Sequence, residues 1–143
     1  MKKFYSLFVF ICLFGFAFGT EEVHEFKGKH LIASYGDCNI EALTDVEALE
    51  KIMLQAVTDC GATVLDSIKY VFPGNGMTMV IMLSESHASI HTYPEHGACF
   101  VDLFTCGDRC SHDKFNEALC AYLKPTEVNQ KVLVRHQYIE DHK

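Results

Sequence analysis

The 143-residue chain has no cluster of lysine or arginine: 12 basic residues are scattered among 19 acidic ones, and the formal charge is -7. That balance excludes the usual electrostatic footprint of a nucleic-acid binder and suits a small cationic ligand better. After residue 20 there is no internal repeat, low-complexity tract or long linker, which excludes a solenoid or a string of domains. There is also no apolar run of the roughly 20 residues that a spanning helix needs. The longest, Phe4 to Phe18, follows Lys2 and Lys3 and ends at Ala17-Phe18-Gly19. This is the three-part pattern of a cleaved secretory leader. Residues 1–19 are therefore expected to be an export leader, giving a periplasmic or secreted protein. An uncleaved anchor or a misplaced start codon is the alternative, with a cytoplasmic location. Residues 20–143 are expected to form one domain.

Hydrophobic residues make up 49% and charged residues 22%, enough to build a core and too apolar for disorder. Seven cysteines are present. Cys12 lies in the leader. The other six, an even number, are compatible with disulfides in an exported chain. Cys60 and Cys120, however, fall in helical patterns where a thiol packs as a small hydrophobe, so the redox compartment stays open at this point.

Periodicity predicts a strand over His24–Ser34, closed by Tyr35-Gly36-Asp37. A helix follows, with Thr44 as its N-cap and Asp45 and Glu47 in its first turn. Val46, Leu49, Ile52, Met53, Ala56, Val57 and Cys60 form its buried stripe, and Gly61 ends it. Ala62–Phe72 and Met77–Leu83 read as a hairpin around Pro73-Gly74-Asn75-Gly76. Ser89–Tyr93 and Ala98–Thr105 read as two more strands. Ser111 caps a second helix with Phe115, Ala118, Leu119 and Tyr122 on its apolar face and Pro125 beyond its end. Val128–Tyr138 is the last strand. Runs of adjacent strands predict an α+β fold, an antiparallel sheet with two helices packed on one face. The other face then needs a cover, most simply a second subunit in an α/β/β/α sandwich.

One stretch stands apart. Glu85-Ser86-His87-Ala88-Ser89-Ile90-His91-Thr92-Tyr93-Pro94-Glu95-His96-Gly97 packs carboxylates, hydroxyls and histidines between apolar strands. Polar groups set in strand-like sequence cost folding energy, which points to a use. His87, His91, His96 and Cys106 are suitable zinc ligands, but their spacings match no zinc motif.

Ser84 to Gly97 resembles the processing-site motif of the bacterial and archaeal S-adenosylmethionine decarboxylases. Val101-Asp102-Leu103-Phe104-Thr105-Cys106-Gly107-Asp108 resembles that family's second signature, and Gly28-Lys29-His30-Leu31 its N-terminal segment. The similarity spans about residues 27 to 136. It implies a proenzyme that cuts itself between Glu85 and Ser86. Ser86 would attack the Glu85 carbonyl to form an ester. Elimination would then leave dehydroalanine, which hydrolyses to a pyruvoyl group. The products would be a β chain ending at Glu85 and an α chain beginning at the former Ser86. The pyruvoyl group would form a Schiff base with S-adenosylmethionine and accept the electron pair left by departing CO2. The product would be the aminopropyl donor for spermidine synthesis.

The resemblance also assigns roles. Cys106 corresponds to the proton donor, a task that suits a thiol, mostly protonated near neutral pH. His91 corresponds to the residue that moves the proton during processing. It lies five residues from Ser86, so contact between them requires a bend after the cleavage point. Glu95 corresponds to the carboxylate that holds the ribose hydroxyls, and Phe72 and Tyr93 to aromatic residues near the adenine. Assembly into a homodimer of αβ units is implied as well. Thr78 stands where a serine orienting the scissile carbonyl is usual, and Met79 where glycine is common. Ala88 replaces a larger aliphatic residue. A pyruvoyl decarboxylase of arginine or ornithine is the nearest alternative, but those substrates have no ribose or adenine for Glu95, Phe72 and Tyr93. A non-catalytic exported paralogue is the other.

Overall fold

The computed structural model describes residues 27–136. The leader, the strand start at His24 and the strand end at Tyr138 lie outside them. The elements are β1 (Lys27–Gly36), α1 (Ile40–Thr44), α2 (Val46–Asp59), β2 (Val64–Val71), β3 (Met77–Leu83), β4 (Ser86–Tyr93), a 3-10 turn (Pro94–His96), β5 (Ala98–Cys106), α3 (His112–Leu123) and β6 (Glu127–His136). All six strands join one antiparallel sheet in the order β2-β3-β4-β5-β1-β6. The expected α+β class and the two long helices are present.

The sheet is two-sided because its side chains alternate. Met77, Met79, Ile81 and Leu83 on β3, Ala88 and Ile90 on β4, Val101 and Leu103 on β5, and Leu31, Ala33 and Tyr35 on β1 are buried. Leu49, Met53, Ala56 and Val57 of α2 and Phe115, Leu119 and Leu123 of α3 close the same core. The residues between them form the opposite, open face. Ile32, Ile68, Tyr70, Val80, Met82 and Phe100 stand exposed there, in rows set by the strand register.

Beyond shifts of one or two residues at strand ends, three boundaries differ from the expectation. Asp45, not Thr44, caps α2, its carboxylate accepting from the Ala48 amide at 3.0 Å. Thr44 instead ends α1, a five-residue helix capped by Asn39, and its hydroxyl bonds back to the Ile40 carbonyl. That back-bond removes Thr44 from capping duty. Third, β4 begins at Ser86 rather than Ser89, so the β3–β4 connection is only Ser84-Glu85. The segment that was missed opens with polar Ser86 and His87, and His87 is exposed on the open face, where burial does not demand an apolar side chain.

Candidate functional site: the Glu85-Ser86 turn

The two-residue turn forces Ser86 to φ 150°, a region that side-chain-bearing residues rarely adopt and that stores strain. Neighbouring elements hold the turn from both sides. The Cys106 amide, at the end of β5, donates to the Glu85 carbonyl oxygen at 2.9 Å. The Glu85 carboxylate accepts from the Thr63 amide at 2.9 Å and the Thr63 hydroxyl at 3.2 Å. The Ser84 amide donates to the Thr63 carbonyl at 2.9 Å. The residue that follows the bond expected to be cut is therefore strained, and the carbonyl of that bond already receives one backbone donor.

Cys106 has an exposed thiol. It pairs across the ladder with Gly28, and the absence of a side chain there has a cause. A Cβ at Gly28 would lie 2.5 Å from the Phe104 ring. The ring packs instead against His30 and His87, with the Arg135 guanidinium 4.3 Å from its centre. Behind the turn, Thr105, the ladder partner of Ser86, is fully buried. His112 Nε2 lies 3.4 Å from the Thr105 hydroxyl and 3.1 Å from the Lys29 carbonyl. Burial pulls the His112 pKa below the ordinary imidazole value, which leaves a neutral ring donating to Lys29.

A second group gathers at the far end of β4. The Thr78 hydroxyl and His91 Nδ1 are hydrogen-bonded across the β3–β4 ladder. His91 lies against Phe72 and Tyr93, with ring centres 5.8 and 4.4 Å apart, and Tyr93 packs on Phe100. Glu95 projects exposed from the following turn. Because β4 runs unbroken from Ser86 to Tyr93, the expected bend after the cleavage point is absent. Four strand residues lie between Ser86 and His91, which sets the two about 16 Å apart and at opposite parity. Thus Glu85, Ser86 and Cys106 come together, as do Thr78, His91, Phe72 and Tyr93, but one chain does not unite the two groups.

Residues 29–136 match the family model described as S-adenosylmethionine decarboxylase. The chain belongs to that family. The S-adenosylmethionine decarboxylase proenzyme of Thermosipho melanesiensis is 43% identical over 113 residues, covering 79% of this chain and 87% of that one. The proenzyme of Methanococcus maripaludis is 42% identical over 103 residues, covering 71% and 84%. Among solved structures, the adenosylmethionine decarboxylase of Aquifex aeolicus superposes with a TM-score of 0.74 at 30% identity, over 83% of this chain and 98% of that one.

Against this family background the remaining polar clusters are easier to place. Among the described residues no group of three or more His, Cys, Asp or Glu side chains converges as a metal site. The six described cysteines are free. Cys110, four residues beyond Cys106, is buried, and the Ser111 amide beside it donates to the Cys60 carbonyl at 2.8 Å. Burial pushes the Cys110 thiol up to about 11 and raises Cys60 as well. Sequence reasoning missed Thr63 and His112. Both lie far from the motif in sequence, and neither belongs to a local pattern that marks it.

Proposed function

We propose that this chain is a self-processing S-adenosylmethionine decarboxylase that cuts itself between Glu85 and Ser86 and works as a dimer of processed αβ units. The observation that carries the reading is the strained Ser86 following a carbonyl that the Cys106 amide already polarises. Attack by the Ser86 oxygen on the Glu85 carbonyl carbon moves the acyl group from nitrogen to oxygen. The hydroxyl proton passes to the released amine, and the strain at Ser86 is relieved. The amide of Cys106 donates toward the oxygen on which charge builds, as an oxyanion-hole donor does. Removal of the proton from the Ser86 α-carbon then expels the Glu85 carboxylate. His91, its Nδ1 fixed by Thr78, is the base for that step through its other ring nitrogen.

The residues present fit a pyruvoyl group: a serine heads the α chain, its upstream carbonyl is held, and an exposed thiol flanks it. When formed, the group supplies a conjugated carbonyl that withdraws electrons from the substrate carbon losing CO2. Cys106 donates the proton that replaces CO2. Phe72 and Tyr93 offer ring faces to the adenine, and Glu95 offers a carboxylate to the ribose diol. The acidic chain suits a cationic sulfonium substrate. The product is the aminopropyl donor for spermidine synthesis.

The distance along β4 argues for two copies. The open face, with its exposed apolar side chains, needs cover, and a second sheet laid across it by a two-fold axis supplies the partner's Thr78 and His91 to each Glu85-Ser86 turn. Release of labelled CO2 from S-adenosylmethionine, ornithine and arginine tests the assignment. Turnover of S-adenosylmethionine alone is expected, with none from Ser86→Ala. Cys106→Ala is expected to be cut yet to turn over at least about 100-fold more slowly. Cutting of a His91→Ala chain should be restored by mixing with a Ser86→Ala chain, because the latter brings an intact histidine. Release from ornithine or arginine in preference would overturn the substrate, and failure of the mixture to cut would overturn the shared site.

A further inference from the structure

We propose that Thr63 is a positioning residue for self-cleavage, a clamp that holds the Glu85 side of the scissile bond in its strained geometry. The inference rests on the self-processing reading above. Thr63 stands just before β2, 22 positions from Glu85 in the chain. It nevertheless makes three hydrogen bonds to the two turn residues. Its amide and hydroxyl take one oxygen each of the Glu85 carboxylate, and its carbonyl takes the Ser84 amide. Two donors on one carboxylate fix both its position and its rotation, as a single bond does not.

The clamp works with the opposite wall. Cys106 draws the Glu85 carbonyl toward β5, and Thr63 draws the Glu85 side chain toward β2. Held from both sides, the turn cannot relax Ser86 out of φ 150° except by breaking a hydrogen bond. Strain of this kind persists only where the surroundings over-determine it. The acyl shift is the step that releases the strain: the Glu85–Ser86 C–N bond breaks, the ester C–O bond forms, and the hydroxyl proton moves to nitrogen. Thr63 touches none of the reacting atoms. Because the side-chain clamp does not involve the bond being cut, it continues to hold Glu85 when that residue becomes the end of the β chain.

The test is the rate of cutting of freshly made full-length protein, followed by gel and intact mass, with and without hydroxylamine, which cleaves esters. Thr63→Val removes the hydroxyl and keeps shape and amide. It is expected to slow cutting about tenfold, the effect of losing one hydrogen bond to a charged group. Hydroxylamine should not restore the rate, because the ester itself forms more slowly. In His91→Ala, where the ester forms and elimination stalls, hydroxylamine should restore it. Thr63→Ser should cut within about twofold of the parent. Glu85→Gln should be slowed as well, and the double variant should be no slower than the slower single one, because the two groups act through one contact. Melting temperatures of the uncut chains, measured on a Ser86→Ala background, separate a clamp from a fold defect. Thr63→Val cutting at the parent rate would overturn the proposal, as would a loss of rate that hydroxylamine repairs. A parent chain that never cuts would overturn the function proposed above, whereas a cutting parent with an indifferent Thr63→Val overturns only the clamp.

Discussion

His112 shows how a residue outside the motifs shapes the site. Its ring is buried between the Lys29 carbonyl and the Thr105 hydroxyl, directly behind the ladder partner of Ser86. Burial lowers its pKa, aided by the charge on Lys29 and opposed by the Lys29 carbonyl bond and by Asp113. The sign of the pH effect follows from linkage. Above the unfolded value, near 6.5, both states are neutral and His112 adds no slope. As pH falls below it, the unfolded chain takes up the proton first, so stability drops until the folded pKa is reached. The melting temperature should therefore fall between pH 7 and pH 5, and His112→Gln, whose amide still reaches Lys29, should reduce that slope. Equal slopes in the two proteins would remove His112 as the titrating group. At this scale the sequence was legible where chemistry is local: Glu85, Ser86, Cys106 and His91 stand in dense motifs. Thr63 and His112 were not legible, because each matters only through contacts between residues distant along the chain.

Elements were legible where periodicity was strong. The α2 stripe, the β3 alternation and Gly61, which takes φ 102° as the helix ends and approaches the Arg109 carbonyl too closely to carry a side chain, were all readable as patterns. Boundaries next to competing polar residues were less so. Thr44 and Asp45 are both good capping residues, and only the three-dimensional path shows that Thr44 is spent closing α1. Asp45→Ala should cost about 1 kcal/mol in urea unfolding, the usual loss for an N-cap. Thr44→Ala should cost clearly less, and the reverse order would contradict the capping assignment. The straight course of β4 has the larger functional consequence. A bend would have let Ser86 and His91 meet within one chain. An unbroken strand instead sets them apart along β4, which is the reason the proposed function calls on a second copy.

At the scale of the whole molecule, the order of strands and helices was enough to foresee a sheet covered on one side. The open face it leaves is apolar at Ile32, Val80, Met82 and Phe100. It is polar along one line, where Asp102 accepts from Ser89 and lies 3.3 Å from His30 Nε2. A face of this kind combines area for association with a charged line able to fix register. The central claim is nonetheless a property of each chain, that its own serine becomes its cofactor, and one measurement addresses it directly. Intact mass of the purified protein, before and after borohydride, is predicted to show two chains divided between Glu85 and Ser86, the second shifted by borohydride because it begins with a reducible carbonyl. A single uncut chain that borohydride leaves unchanged, under conditions where the protein is folded, would contradict the account.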